Sequence, residues 1–194
     1  RTKKGRQNGF NGSVNLSYIQ ALYPKSPNSL NLNYKKDKWT LFTALNYSYW
    51  EGFNELKLVR KFPGKGGEPL SAIFDQESNG HFSSKNMGIR TGAEYAFNKN
   101  TSIGVQVNGT YNPRTFSSEG SAAIYDGESL LDSTNVAISR NTDKWKNFGA
   151  NFNFRKRLDT TGREITADLD HIWYGSNAVQ TSDNYTFYQP GNQL

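Results

Sequence analysis

The densest group of ligating side chains in this 194-residue chain is Asp168, Asp170 and His171, two carboxylates and an imidazole within four positions. Such a set could take a divalent cation if its members converged. They stand in the alternating run Glu164-Ile165-Thr166-Ala167-Asp168-Leu169-Asp170-His171-Ile172-Trp173. On a strand, successive side chains point to opposite faces, so His171 is aimed away from both carboxylates. A metal site is therefore not expected, and neither is a cofactor. His81 is the only other histidine, and cysteine is absent. No Ser/His/Asp grouping is visible, so the chain is not expected to be an enzyme. Arg90 and Glu94 share one face of a second alternating run, and Arg155, Glu164, Asp168 and Asp170 carry the charge of two further polar faces. Pairing with one another is the ordinary role of such groups. The sharper reading is a polar path that contacts a solute. The loop Pro63-Gly64-Lys65-Gly66-Gly67 superficially suggests a phosphate cradle. It lacks the Gly-Lys-Ser/Thr ending and a following helix, which leaves a loop tip.

The elements that hold these residues can be read from composition and period. The chain carries 23 Lys+Arg against 17 Asp+Glu, a net charge of +6, with 35% hydrophobic residues and a mean hydropathy of -0.78. That is lean for a domain with a buried core. Aromatics nevertheless reach 14%, which excludes disorder over the whole length. No apolar run approaches the roughly 18 residues of a spanning helix. That excludes a helical membrane protein and leaves a membrane barrel open. The first residue is Arg1, and no signal-peptide pattern stands after it. The last residues, Gln189-Pro190-Gly191-Asn192-Gln193-Leu194, have no strand signature. Both ends suggest a piece of a longer protein.

Helical stripes are missing, and period-two alternation recurs seven times. The alternating segments are residues 10–18, 30–34, 39–49, 87–97, 103–111, 148–154 and 165–173. One face of each is Leu, Val, Ile, Phe, Tyr and Trp. The other is mostly Asn, Ser, Thr, Gln and Gly. Short connections at 35–38, 98–100 and 159–162 force antiparallel hairpins. Longer polar inserts fill 50–86 and 112–146, and a polar tail begins after Trp173. The alternation Leu56, Leu58, Arg60 within 53–62 suggests that strand ends extend into these inserts as ribbons. Setting Leu158 opposite Arg163 matches Phe154 with Ala167, Phe152 with Leu169 and Phe148 with Trp173. On the reverse face Arg157 then meets Glu164, Asn153 meets Asp168, and Asn151 meets Asp170. A turn at Lys36-Asp37 sets Tyr34 opposite Trp39.

Unlike faces also occur in soluble sheets. Three features point to lipid instead. The polar face is Asn, Ser, Thr, Gln and Gly with sparse charge, which suits a lumen. Trp39, Phe97 and Phe10 lie near the short-turn ends of the apolar faces, and Tyr47, Tyr49, Tyr111 and Trp173 near the long-insert ends. Aromatic girdles, and short turns at one rim with long loops at the other, are expected of outer-membrane barrels. Eleven residues extend about 36 Å, and a tilt near 45° leaves about 25 Å of apolar band. Seven strands would leave two open edges, which again suits a fragment. Basic residues at Lys35-Lys36 and Arg155-Lys156-Arg157 flank short turns, a placement that fits anionic head groups and not nucleic acid. The competing reading is a soluble β-sandwich-like binding module for glycan or protein.

The opening Thr2-Lys3-Lys4-Gly5 resembles the end of the plug in TonB-dependent outer-membrane receptors. Three later segments are similar to that family's first barrel strands: Gly9-Phe10-Asn11-Gly12-Ser13-Val14-Asn15-Leu16, Leu30-Asn31-Leu32-Asn33-Tyr34, and Trp39-Thr40-Leu41-Phe42 running to Tyr47-Ser48-Tyr49. The resemblance implies an all-β, antiparallel up-and-down transmembrane barrel of about 22 strands, of which this chain holds the first seven or so. Residues 1–8 would end the plug, and 9–194 would form the first barrel strands and extracellular loops. It implies a receptor in the bacterial outer membrane that binds solute with its outer loops and imports it through a plugged lumen. The implied partners are outer-membrane lipid, a TonB-type energy-transducing protein engaged by a segment before Arg1, and a surface lipoprotein. Phe74 and Tyr125, in the long inserts, are aromatic candidates for solute contact, beside Arg90, Glu94, Asp168 and Asp170 on the polar faces.

Overall fold

The computed structural model describes residues 8–64, 71–159 and 162–189. The Thr2–Gly5 motif, the Lys65-Gly66-Gly67 part of the glycine-rich tip, Thr160-Thr161 and the residues after Gln189 lie outside the described residues. Every regular element among those described is a strand: β1 (Gly9–Asn15), β2 (Lys25–Lys36), β3 (Trp39–Phe62), β4 (Ala72–Ala96), β5 (Thr101–Asp126), β6 (Leu131–Arg157) and β7 (Glu164–Tyr188). They form one antiparallel sheet in sequence order, each strand bonded to its neighbours along the chain.

Each alternating segment sits in its own strand, and the connections explain the order. A two-residue turn, Asp37-Lys38, joins β2 to β3, with Asp37 at a φ of 52°. Asp tolerates this left-handed region better than most residues because its short polar side chain bonds locally. Asp37 N donates to Asn8 Oδ1 at 2.8 Å, and Asn8 Nδ2 donates to Asp37 Oδ1 at 3.2 Å. This tight turn corrects the expected register. Lys36 pairs with Trp39 and Tyr34 with Leu41, so Tyr34 does not face Trp39. The offset is two residues, and an even offset leaves every side chain on its expected face. In the β1–β2 pair, Phe10 meets Tyr34, Gly12 meets Leu32 and Val14 meets Leu30, while Asn11 meets Asn33 on the reverse.

Strand β1 stops at Asn15, short of the expected Tyr18. Strand β2 begins earlier than the sequence pattern suggests and takes in Pro27, which pairs with Ser48 of β3. Proline has no N–H to give to a second neighbour, so backbone pairing on the β1 side is interrupted there and resumes at Ile19 and Lys25, which exchange bonds of 2.8 and 3.0 Å. Side chains continue the bonding: Ser17 N donates to Asn28 Oδ1 at 3.1 Å, and Ser26 Oγ donates to Ser17 O at 2.9 Å.

The chain divides into two compact units. The first comprises Arg1–Trp50, Ser84–Pro113 and Lys144–Asn177. Within it, Trp39 lies 4.8 Å from Tyr95 between ring centroids, and Thr43 Oγ1 lies 2.9 Å from Thr91 Oγ1. Leu158 N donates to Arg163 O at 2.8 Å and Asn151 Nδ2 to Asp170 Oδ1 at 2.8 Å, matching the expected register of β6 and β7. Glu164 is taken by Arg155 at 3.0 and 2.7 Å, not by Arg157. Arg155 is the diagonal neighbour in this register, a separation that a long side chain spans. The apolar face of this unit is open: Trp39 is 50% exposed, Val105 51%, Phe152 43% and Leu169 71%.

The second unit comprises Glu51–Ser83, Arg114–Asp143 and Ala178–Leu194. The strands extend into the inserts 50–86 and 112–146, as the alternation in 53–62 suggests, and much further than that segment alone implies, because most of both inserts is strand. Lys57 Nζ meets Glu77 Oε1 at 2.8 Å across β3 and β4, and Ser83 Oγ meets Thr115 Oγ1 at 2.7 Å across β4 and β5. The true turn between β5 and β6 is short. Asp126 Oδ1 accepts from Glu128 N and Leu130 N, both at 2.9 Å, and Ser129 adopts a φ of 65°. The tail after Trp173 is also strand: β7 reaches Tyr188, and Gln189 N donates to Asp132 O at 3.2 Å.

The described residues contain no fully buried large side chain. The buried positions among them are Gly80, Gly104, Ala122, Ser133 and Gly149. The best-covered positions are thus small residues within the sheet.

Candidate functional site

The polar face of the first unit is built from asparagines laid across glycines. A Cβ added at Gly104 on β5 would meet Asn153 Oδ1 of β6 at 2.6 Å, and one at Gly149 on β6 would meet Asn108 Oδ1 of β5 at 2.7 Å. Asn46 of β3 covers Gly88 of β4 in the same manner, and the Phe42 ring covers Gly92 at 2.6 Å. Glycine leaves room for the neighbouring side chain to lie flat. The amide or ring then shields peptide groups that have no second layer above them.

Charges are set into this carpet. Arg90 donates from Nε and Nη2 to Gln106 Oε1, at 2.9 and 2.8 Å. Its guanidinium stands 5.8 Å from the Phe42 ring centroid. Pairing of Arg90 with a carboxylate is the simpler expectation, and a neutral amide takes that place. Glu94 lines a cleft of about 180 Å³ with Arg155, Arg157 and the 98–102 turn. A neighbouring open cleft shares Arg155 and Arg157 and adds Asp159 and Glu164. Asp170 accepts from Asn151, and Asp168 stands exposed on the same strand. The structure therefore places Arg90 and Glu94 on β4 and Asp168 and Asp170 on β7, each with local partners or open to solvent. The Glu94–Arg155–Arg157 cleft does not emerge from sequence reasoning. Its one signal is the pair of basic residues beside a turn, which by pattern alone reads as a rim.

Phe74 and Tyr125 lie in the second unit, on β4 and β5, both half-buried. Both are strand residues within the inserts, not residues of irregular loops. His81 Nε2 lies 2.9 Å from Glu51 Oε1 in the same unit. Among the described residues, no three His, Asp or Glu side chains gather in a way that could hold a metal ion.

Among the described residues, one ionisable group shows a clear shift. Lys57 has its pKa raised above the usual 10.5 by its hydrogen bond and charge attraction to Glu77, which outweigh a small desolvation effect.

No known family model matches this sequence, and no curated protein matches it.

Proposed function

We propose that this chain supplies the first strands of an outer-membrane barrel, in a receptor that binds a solute outside the cell and admits it through a gated lumen. One observation carries the reading: the first unit is a sheet with a broad apolar face left open and a reverse face of asparagine, glycine and threonine. Full burial of a large apolar side chain is worth about 1.5–3 kcal/mol. Phe10, Val14, Trp39, Leu41, Ile89, Val105, Phe152 and Leu169 are each some half exposed, which forgoes about 6–12 kcal/mol in water. A whole domain is stable by about 5–15 kcal/mol. Hydrocarbon removes that deficit, because lipid tails cover the face.

The flanking residues agree in spacing. On β6 the apolar-face residues Phe148, Phe152 and Phe154 lie between Lys146 and Lys156. Ten residues of strand span about 33 Å, which a 45° tilt reduces to about 23 Å. In this arrangement Asp37-Lys38 and the 98–100 turn face the periplasm, and the inserts 50–86 and 112–146 belong to the extracellular side. The resemblance to TonB-dependent receptors supports import driven by that system, with Arg90, Glu94, Asp168 and Asp170 on the lumen side and Phe74 and Tyr125 in the outer ribbons.

The test uses the full-length gene product. It should fractionate with the outer membrane, require detergent and stay folded in it. Asp168→Lys with Asp170→Lys should reduce solute-dependent growth while leaving the protein inserted. A protein that is soluble and folded without detergent would overturn the proposal. Unchanged uptake in the double variant would remove the two aspartates from the path.

A further inference from the structure

At the short-turn end of the first unit's apolar face, three aromatic rings gather beside the ammonium group of Lys38. The Trp39 and Tyr95 centroids are 4.8 Å apart, and Phe97 meets Tyr95 edge-on at 5.0 Å. Lys38 Nζ stands 6.0 Å from the Tyr95 centroid. Lys36 is the register partner of Trp39 and therefore projects from the same face. Below the rings the face continues into Tyr34 and Leu41, which pair with each other, and then Leu32. Trp39 and Tyr34 are both substantially exposed, so an acyl chain has open access to this strip.

The charge at this end is one-sided. Lys156 shares the apolar face of β6, whereas Lys99 lines the reverse-face cleft with Glu94. Against Lys36, Lys38 and Lys156 the nearby acids are Asp37, already hydrogen-bonded with Asn8, and Asp159, ion-paired with Arg163. Glu94 and Glu164 line clefts on the reverse face.

We propose that Lys36, Lys38, Trp39 and Tyr95 form a headgroup site for an anionic glycerophospholipid. The two ammonium groups take the phosphate, where a net negative headgroup is favoured over a zwitterionic one. The indole and phenol rings lie at the depth of the ester carbonyls, apolar body inward and polar edge outward. The acyl chains run along Tyr34, Leu41 and Leu32. The proposal rests on the membrane reading above and deepens it, because it assigns a lipid class to one stated patch of the rim.

Native mass spectrometry of the full-length protein, released from detergent after titration with phosphatidylglycerol or phosphatidylethanolamine, tests it. Phosphatidylglycerol should be retained in preference. The Lys36→Gln/Lys38→Gln variant should bind it roughly twenty-five-fold more weakly, at about five-fold per lysine. Lys36→Arg/Lys38→Arg should retain it, and Lys146→Gln, at the far end of the face, should behave as wild type. Excess inorganic phosphate should not displace the lipid, since the acyl chains contribute to binding. Equal retention of both lipids, or no effect of the glutamine pair, overturns the headgroup site while leaving the barrel intact. Displacement by phosphate alone overturns it in favour of a simple anion site. A protein that folds without detergent and retains no lipid overturns the membrane reading as well.

Discussion

Asn153 of β6 lies flat over Gly104 of β5, and the same two strands repeat the arrangement in reverse, with Asn108 of β5 over Gly149 of β6. Each strand thus lends an amide to its partner's glycine and receives one over its own. Both glycines are among the few buried residues described. In a sheet without a second layer, short polar side chains supply the cover that a hydrophobic core gives elsewhere.

Gly104→Ala should therefore destabilise the protein. Overpacking typically costs about 1–3 kcal/mol, against about 0.5–1 kcal/mol that alanine gains over glycine in backbone entropy. The net expectation is a loss of about 1 kcal/mol. Adding Asn153→Ala should recover most of it, giving a favourable coupling energy in a double-mutant cycle measured by denaturant unfolding in detergent. Simple additivity would show that the two residues do not constrain each other.

The two faces should respond oppositely to one and the same charge. Leu169→Arg places a guanidinium on the apolar face, at a cost of about 2–4 kcal/mol if that face meets the bilayer midplane. Thr166→Arg, on the reverse face of the same strand, should cost less than about 0.5 kcal/mol. Folding yield into vesicles reports both. Equal tolerance of the two would argue that neither face touches hydrocarbon.

The turn at Asp37 offers a backbone test. Its φ of 52° is costly for a side chain with a Cβ, by about 1–2 kcal/mol, and Asp offsets this through Asn8. Asp37→Ala keeps the strain and loses the side-chain bond, so stability should fall by about 1 kcal/mol. Asp37→Gly removes the strain and should be close to neutral. If glycine proves as damaging as alanine, the Asn8 contact outweighs the backbone geometry.

The Lys57–Glu77 pair lies in the ribbon portion and predicts a pH dependence at the alkaline end. The folded pKa of Lys57 is raised, so its contribution is complete below the ordinary 10.5 and is lost as pH climbs through the raised value. Both partners are well exposed, so salt should weaken the pair. Glu77→Gln should lower the Lys57 titration midpoint, read by nitrogen NMR of the ammonium. An unmoved midpoint would assign the shift to another neighbour.

Much of the strand pattern is legible in the sequence because contrast between faces is a local signal. Leu, Val and Phe alternating with Asn and Ser identify a strand and its two sides without reference to its partner. The β6–β7 register is also accessible, since Leu158 and Arg163 bracket a turn whose two flanks match only one way. Legibility fails where both faces are polar. In residues 174–188 Ser, Asn, Thr and Gln stand on either side and no period emerges. It fails again at Tyr34 and Trp39, where a local φ above zero at Asp37 shortens the turn and moves the register by two. Pro27 misleads for a related reason: it excludes a ladder bond on one side only, and β2 uses the other. The asparagine-over-glycine cover is out of reach, because it depends on which residues of two strands come level.

Every strand here bonds to its neighbours in sequence, and the β2–β3 connection needs only two residues. Closing such a hairpin costs little chain entropy, and each later strand finds its mate already in place. Assembly can therefore proceed like a zip, one hairpin after another, with no distant segment required before an early one is secure. At each stage the newest strand shows a bare row of amides and carbonyls. That row is a template, and the next stretch of polypeptide to reach it can be threaded into the growing wall in register.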